Sequence, residues 1–250
     1  NSNTMVNNYN YEVNNHDDIS VNTDHKYISW SRGLRRKFEK RQLIDLDEST
    51  VQLAMYRPFT KKWLYYDPQI IENGKGLGSS FKIDNLSIII PGTGTRRKFS
   101  SFITKNIPDL NIFDGGTQIF FEYNVDDHLM SSTSNIMDVQ KKFGFSDETI
   151  IYYIYAILHS TEYRIKYAND LKKGVPRIPI LSNMDKFIEI GQNLVDLHIN
   201  YETQKPWPTV KLHVTGNDFK VKQMTHPKRK NEYNKLVDDL SQIIFNHDIT

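Results

Sequence analysis

The chain has 250 residues, 38% hydrophobic and 25% charged, with a formal net charge of only +2. These are the proportions of a globular chain long enough to bury a core, as one large domain or two small ones. No apolar run reaches the roughly 18 residues that a membrane span needs, the N-terminus lacks the basic-then-apolar order of a secretory signal, and the absence of cysteine excludes disulfides, thiolate zinc sites and cysteine nucleophiles. A cytoplasmic location is the expectation, and so small a net charge does not by itself imply a polyanionic partner.

Residues 1–26 are rich in Asn and Asp, show no apolar period, and read as a flexible N-terminal segment. Residues 27–145 form a strand-rich part. Its β-branched and aromatic runs LAMYRPF, KWLYY, LSIII and TQIFFEY are punctuated by Pro, Gly and Asn. Among them SRGLRRKFEKR predicts a short basic helix, and residues 26–41 hold seven cations against one carboxylate. Residues 124–145 read as a polar connection.

Residues 146–204 change character and predict a helical part. Ser146 is a fitting N-cap, and Ile150, Ile151, Ile154, Ile157 and Leu158 make a helical stripe. A second helix starts at Ser160, carries Tyr163 and Tyr167, and stops at Gly174. The segment Val175-Pro176-Arg177-Ile178-Pro179 is extended, because two prolines this close break helix and central strand alike. A third helix, over about 185–200, places Phe187, Ile190, Leu194 and Leu197 on one face. Residues 205–250 read as a basic, strand-rich tail, with VKLHVTG and FKVKQM as strands and HPKRK as a basic turn. The predicted fold class is α+β, a strand-rich half followed by a helical half.

Two glycine-rich loops invite a phosphate reading. In PGTGTRRKF (91–99), Gly92 and Gly94 precede Arg96, Arg97 and Lys98. One residue separates the glycines and Phe follows the Lys, so this is not a Walker A loop, which needs four residues there and a Ser or Thr for magnesium. NGKGLGSS (73–80), with Lys75, has glycines at alternate positions and fails the dinucleotide fingerprint. Both remain loops able to touch a polyanion. Tyr56-Arg57-Pro58-Phe59, followed by Lys61, Lys62 and Trp63, sets aromatics beside cations. Such a surface stacks on bases or forms a core edge with Arg57 on its rim, and the core edge is the reading favoured.

Catalytic patterns are missing. Asp109, Glu122 and Asn124 resemble a metal-dependent nuclease core, but that chemistry wants a Lys two residues after the Glu; the two carboxylates read as surface groups. No histidine pair has H-x-x-x-H spacing, and no serine sits in G-x-S-x-G. His159 and His198 end apolar helical stretches and read as hydrogen-bonded packing residues. No catalytic or metal-ligating residue is assigned.

The order of YRPFTKKWLYYD (56–67), RRKFSSFIT (96–104), IPDL (107–110), TQIFFEY (117–123), YIYAILHSTEYRIKYANDLKKGVPRIPI (153–180) and FIEIGQNLVDLH (187–198) resembles one family. It is that of the C-terminal target-recognition region of type ISP restriction-modification enzymes, single-chain bacterial proteins that join a nuclease, an ATP-driven translocase and an adenine methyltransferase to a DNA-reading region. The departures are small. Thr161 stands where the family usually has Pro, and Phe120-Phe121 replaces an aromatic-proline pair. Asn-Pro-Pro-Tyr and F-x-G-x-G are absent, so the resemblance implies a piece that neither cuts, translocates nor methylates, with a truncated C-terminal tail.

The resemblance implies double-stranded DNA and the adjoining methyltransferase domain of the same polypeptide as partners, with no membrane. It implies no cofactor in this part, and S-adenosylmethionine, ATP and magnesium for the parent enzyme. Arg57, Lys61, Lys62, Lys75, Arg96, Arg97 and Lys98 are the DNA-binding candidates. The competing expectation is a protein-docking module that mainly anchors the methyltransferase. Basic loops gathered on one face favour reading, and scattered ones favour docking.

Overall fold

Val6, Tyr9 and Val13 are spaced three and four residues apart and all are buried. That stripe makes a helix, α1 (Ser2–Asn15), of a stretch whose composition predicts a flexible segment. The asparagines that suggest disorder are its fastenings. Asn8 Nδ2 donates to the Tyr27 carbonyl (3.1 Å), and Asn10 exchanges two hydrogen bonds with the Ile44 backbone (2.8 and 2.9 Å). Buried Glu12 accepts from Asn22 N (2.9 Å). Helix propensity is a weak prior, and tertiary contacts of this kind override it. Helix α2 (Arg32–Glu39) starts at Ser31, whose hydroxyl accepts from Leu34 N (3.1 Å). Leu34 and Phe38 point into a cluster with Val6, Tyr9, Val13, Ile28 and Ile44, leaving the α2 cations outside.

The computed structural model describes residues 2–71, 80–81, 84–95, 98–113, 116–126, 131–134, 147–217, 220–221 and 223–245. The chain divides into two units, Asn1–Glu202 and Thr203–Thr250. In the first, strand β1 (Val51–Arg57) pairs antiparallel with β2 (Thr60–Tyr65). Strands β3 (Ser87–Pro91) and β4 (Phe102–Thr104) pair antiparallel in a second sheet. The short β5 (Ile107–Pro108) runs parallel to β1, and β6 (Thr117–Phe121) runs antiparallel to β3. The expected polar connection contains a hairpin of β7 (Tyr123–Asp126) and β8 (Ser131–Ser134). Helices α3 (Asp147–His159), α4 (Thr161–Lys166), α5 (Asp170–Lys173) and α6 (Met184–Ile199) follow, completing an α+β fold.

Every residue of β3 is buried. Side chains alternate across a strand, so Ile88 and Ile90 join Ile103, Ile151, Tyr155 and Val195 on the helical side. Ile89 turns the other way, onto Met55, Phe102 and Ile112. The strand-rich and helical stretches therefore share one core rather than standing apart. Each fully buried Ile contributes about 1.5–3 kcal/mol by removal from water.

The start and stop signals of the helical stretch hold at Ser160 and Gly174, but the single helix expected between them is two, α4 and α5, separated by a turn at 167–169; the expected cap Ser146 lies outside the described residues. Ser160 caps α4 by accepting from Tyr163 N (3.4 Å), and Thr161 takes the first helical position. Gly174 ends α5. The residues beyond it are tied down by tyrosines: Tyr163 Oη donates to Arg177 O (2.9 Å) and Tyr153 Oη to Pro179 O (2.7 Å). On α6 the buried residues are Ile188, Gly191 and Val195, while Ile190 and Leu197 are about half exposed. The apolar face seen in the sequence is wider than the face that packs.

In the second unit, β9 (Lys228–Lys230) and β10 (Leu236–Asp238) form an antiparallel hairpin. Asn234 at its turn has φ of 58°, a left-handed conformation that Asn tolerates. The strand falls where a basic turn was expected. Neither VKLHVTG nor FKVKQM forms a strand among its described residues, and no described residue from 203 on is buried. A strand pattern without a layer to cover it has nothing to specify its pairing.

Gly191 lies against α3: a Cβ there would lie 2.0 Å from the Tyr152 carbonyl oxygen. Backbone cannot yield as a side-chain tip can. Gly191→Ala is expected to cost about 1–3 kcal/mol through overpacking, read as a lower midpoint in urea unfolding with secondary structure retained.

Candidate nucleic-acid interface

The β1–β2 hairpin carries three of the candidate cations, and strand alternation sends them different ways. Ala54 pairs with Lys62 and Met55 with Lys61, so the neighbouring lysines face opposite sides of the ribbon. Lys61 faces the body. Its Nζ lies 2.7 Å from Glu202 and 5.1 Å from the Tyr201 ring centroid, so its charge is already matched inside the chain. Lys62 is exposed on the other face, its Nζ 3.8 Å from the Tyr56 ring centroid. Arg57 lies against the same ring at 4.1 Å, and its Nη1 donates to Tyr56 O (2.6 Å) and to Asp109 Oδ1 (3.2 Å).

Tyr56 thus serves as a platform for two cations, while Met55 beside it is the residue in the core. Phe59, in the turn, has φ of 58°, an uncommon conformation for an aromatic residue. Its ring packs edge-on to Phe102 (4.9 Å), Tyr201 (5.2 Å) and His198 (5.4 Å), contacts that offset the strain and fix the end of the hairpin.

A short chain of bonds brings the glycine-rich loop to the same end of the fold. Asp109 follows β5, and its N–H donates to Met55 O (2.9 Å). Thr117 Oγ1 donates to Leu110 O (2.8 Å), and Thr117 pairs with Pro91 at the end of β3. Gly92 N donates to Gly116 O (3.0 Å). Gly94, at φ of 82°, donates to the Lys172 carbonyl (2.9 Å); a side chain would be strained in that left-handed position. Lys98, exposed, stands on the same β3–β4 connection. Arg57, Lys62 and this loop therefore belong to one assembly. Lys75, Arg96 and Arg97 lie outside the described residues.

The structure adds exposed Lys172 and Lys173, which the sequence reading did not single out. The signal available was their place in the last turn of a helix before Gly174, where cations also complement the helix dipole. The bond from the Gly94 N–H to the Lys172 carbonyl joins them to the loop. Asp109 is paired with Arg57, and Glu122 is buried at 5% exposure, so the expectation of two surface carboxylates holds for neither in full. Among the described residues no group of three or more His, Asp or Glu could hold a metal ion.

Behind the hairpin, His198 Nδ1 shares a hydrogen bond with buried Tyr155 Oη (2.5 Å). His159 Nδ1 lies 3.3 Å from Arg164 Nη2. Both histidines are packing residues, as their positions in the sequence suggest. Burial, and then the Arg164 charge, push the His159 imidazole down from 6.5 to about 4. Burial lowers His198 as well and raises the Tyr155 phenol.

The sequence profile of the Type ISP C-terminal specificity domain matches residues 1–250. The structure of a nuclease-deletion mutant of the Type ISP restriction-modification enzyme LlaGI, in complex with a DNA substrate mimic, superposes with a TM-score of 0.82 at 35% identity, over 99% of this chain and 23% of that one. The ATP-dependent Type ISP restriction-modification enzyme LlaBIII, bound to DNA, gives 0.84 at 31% identity, over 99% of this chain and 16% of that one. The DrdV–DNA complex shares the fold, with a TM-score of 0.78 at 23% identity. The chain thus spans less than a quarter of LlaGI or LlaBIII. Comparison with curated proteins gives no significant match. No helix among the described residues is long and apolar enough to cross a membrane.

The partly buried His159 generates a pH dependence. Its folded-state value lies below the ordinary 6.5, so the unfolded chain takes up the proton first as pH falls. The stabilisation is fully present above about pH 6.5 and is lost on descent toward about pH 4. His159→Gln is expected to flatten the dependence of Tm on pH across that window, measured by thermal denaturation at a series of pH values.

Proposed function

Because the chain belongs to the family of Type ISP C-terminal specificity domains, we propose that it reads the target sequence in double-stranded DNA and directs adenine methylation and restriction by other domains of a larger enzyme. The observation that carries this reading is the gathering of Arg57, Lys62 and the Gly92–Gly94 loop at one end of two sheets. Two relatives of 35% and 31% identity have structures with DNA or a DNA mimic. Cations on loops beside a rigid sheet suit phosphate contacts, which position a protein, and forked Arg contacts to guanine, which specify sequence. Arg96 and Arg97 continue that loop and are proposed readers or phosphate contacts on sequence grounds. S-adenosylmethionine, ATP and magnesium belong, in this reading, to the other domains.

A second role has its own observation. Ile190 and Leu197 are 48% and 49% exposed on α6, beside a face that is already packed. This half-covered apolar stripe supports a docking role for the helical stretch, compatible with reading by the strands.

Exchanging this segment between two relatives is expected to exchange the adenines they methylate, found by sequencing methylated sites; an unchanged site would count against target reading. The isolated chain should bind duplex DNA with log affinity falling linearly in log salt. Each neutralised phosphate contributes about 0.9 to the slope, so several contacts give roughly three or more. Titration across a salt series checks this, and calorimetry should show no stoichiometric binding of ATP or S-adenosylmethionine.

A further inference from the structure

The Arg57 guanidinium is held on one side and open on the other. Nη1 is tied to the Tyr56 carbonyl (2.6 Å) and to Asp109 Oδ1 (3.2 Å), and the guanidinium carbon sits 4.1 Å from the Tyr56 ring centroid. Asp109 is itself fixed: Oδ1 accepts from Asn111 N (2.7 Å), and the Asp109 N–H donates to Met55 O (2.9 Å). Nε and Nη2 have no partner among the described residues, and the side chain is 42% exposed. Those two nitrogens form the fork that donates two parallel hydrogen bonds to a planar pair of acceptors.

On the proposed reading of duplex DNA, we infer that Arg57 is a specificity-determining residue that donates to O6 and N7 of a guanine in the major groove, and that Asp109 and Tyr56 are its positioning residues. A held fork can take the planar edge of a base or two oxygens of a phosphate, and the charge next to it favours the base. The Asp109 carboxylate beside it repels a phosphate, whereas the guanine edge is neutral. Lys62, on the same ring but without a carboxylate partner among the described residues, is the better phosphate contact of the two.

The test uses the whole chain and a randomised duplex pool, with bound sequences selected and read out, for the wild type, Arg57→Lys, Arg57→Ala and Asp109→Asn. Lys keeps the charge but has no fork. Asn keeps an oxygen for the turn but loses the charged clamp. The wild type should enrich a motif containing a G·C pair. Arg57→Lys and Asp109→Asn should lose preference at that same position, by roughly tenfold or more for Lys and less for Asn, with Tm unchanged. Binding of Asp109→Asn to unrelated duplexes should be equal or tighter.

If Arg57→Ala instead weakens all sequences alike and lowers the salt slope by about one, Arg57 is a phosphate contact and the inference is overturned while target reading stands. A wild-type motif left intact by all three substitutions has the same meaning. Duplex binding by the wild type without any enriched motif would overturn target reading itself, and this inference with it.

Discussion

The burial of β3 on both faces is the constraint from which the larger unit follows, because a strand so placed must satisfy two different layers at once. Ile88 and Ile90 fit under α3 and α6, and Ile89 fits against the hairpin sheet. A slip of one residue would exchange the two sets, sending two isoleucines into the space made for one. The register thus fixed also fixes what happens beyond the strand. Pro91 pairs with Thr117, so the loop leaving β3 and the loop entering β6 must emerge side by side. The bond from Gly92 N to Gly116 O shows that they do. The position of the candidate interface is a consequence of core packing several residues away.

Charge at that end of the fold is organised for geometry more than for stability. Partly exposed ion pairs contribute on the order of 0–1 kcal/mol, and both carboxylates facing the hairpin cations are open to solvent, Asp109 at 34% and Glu202 at 57%. The pairs therefore do little to hold the chain folded. They decide which cations are committed and which remain available. Lys61 is committed by Glu202 and Tyr201, Arg57 is half committed, and Lys62 rests on the Tyr56 ring with no carboxylate partner among the described residues. On the proposed reading, masking part of the positive charge restrains indiscriminate attachment to polyanions.

How much of this is legible in the sequence depends on the range of the interaction that decides it. Ser160 as a cap, Gly174 as a stop and the apolar stripe of α3 are local signals, and the helical stretch follows them. Helix α1 escapes the same reading because its asparagines act over distance, on Tyr27 and Ile44. The Lys61-Lys62 pair reads as one basic patch, yet a period of two sends the two residues to opposite faces. Asp109 reads as a surface carboxylate, because its partner Arg57 is 52 residues away. Lys172 reaches the glycine loop through a backbone bond that no residue type announces. The second unit shows the converse: VKLHVTG alternates as a strand does, but its described residues are not buried and form no strand.

The division between held and unheld cations gives the domain two separable quantities. On the proposed reading, an exposed lysine such as Lys62 or Lys98 meets a phosphate, and ordering its side chain there costs up to about 2 kcal/mol of entropy. Its contribution is tolerant of geometry, blind to sequence and sensitive to salt. Arg57 has already lost most of that freedom to Tyr56 and Asp109, at the expense of folding rather than of binding. What it offers is therefore demanding of geometry, since a fork that cannot swing meets its acceptors in one plane or leaves its donors unmatched. Specificity of this kind is a penalty on wrong partners more than a reward for right ones. The rigidity that supplies it comes from β1, β5 and the hairpin end, all of them anchored to a core in which β3 has no freedom to shift.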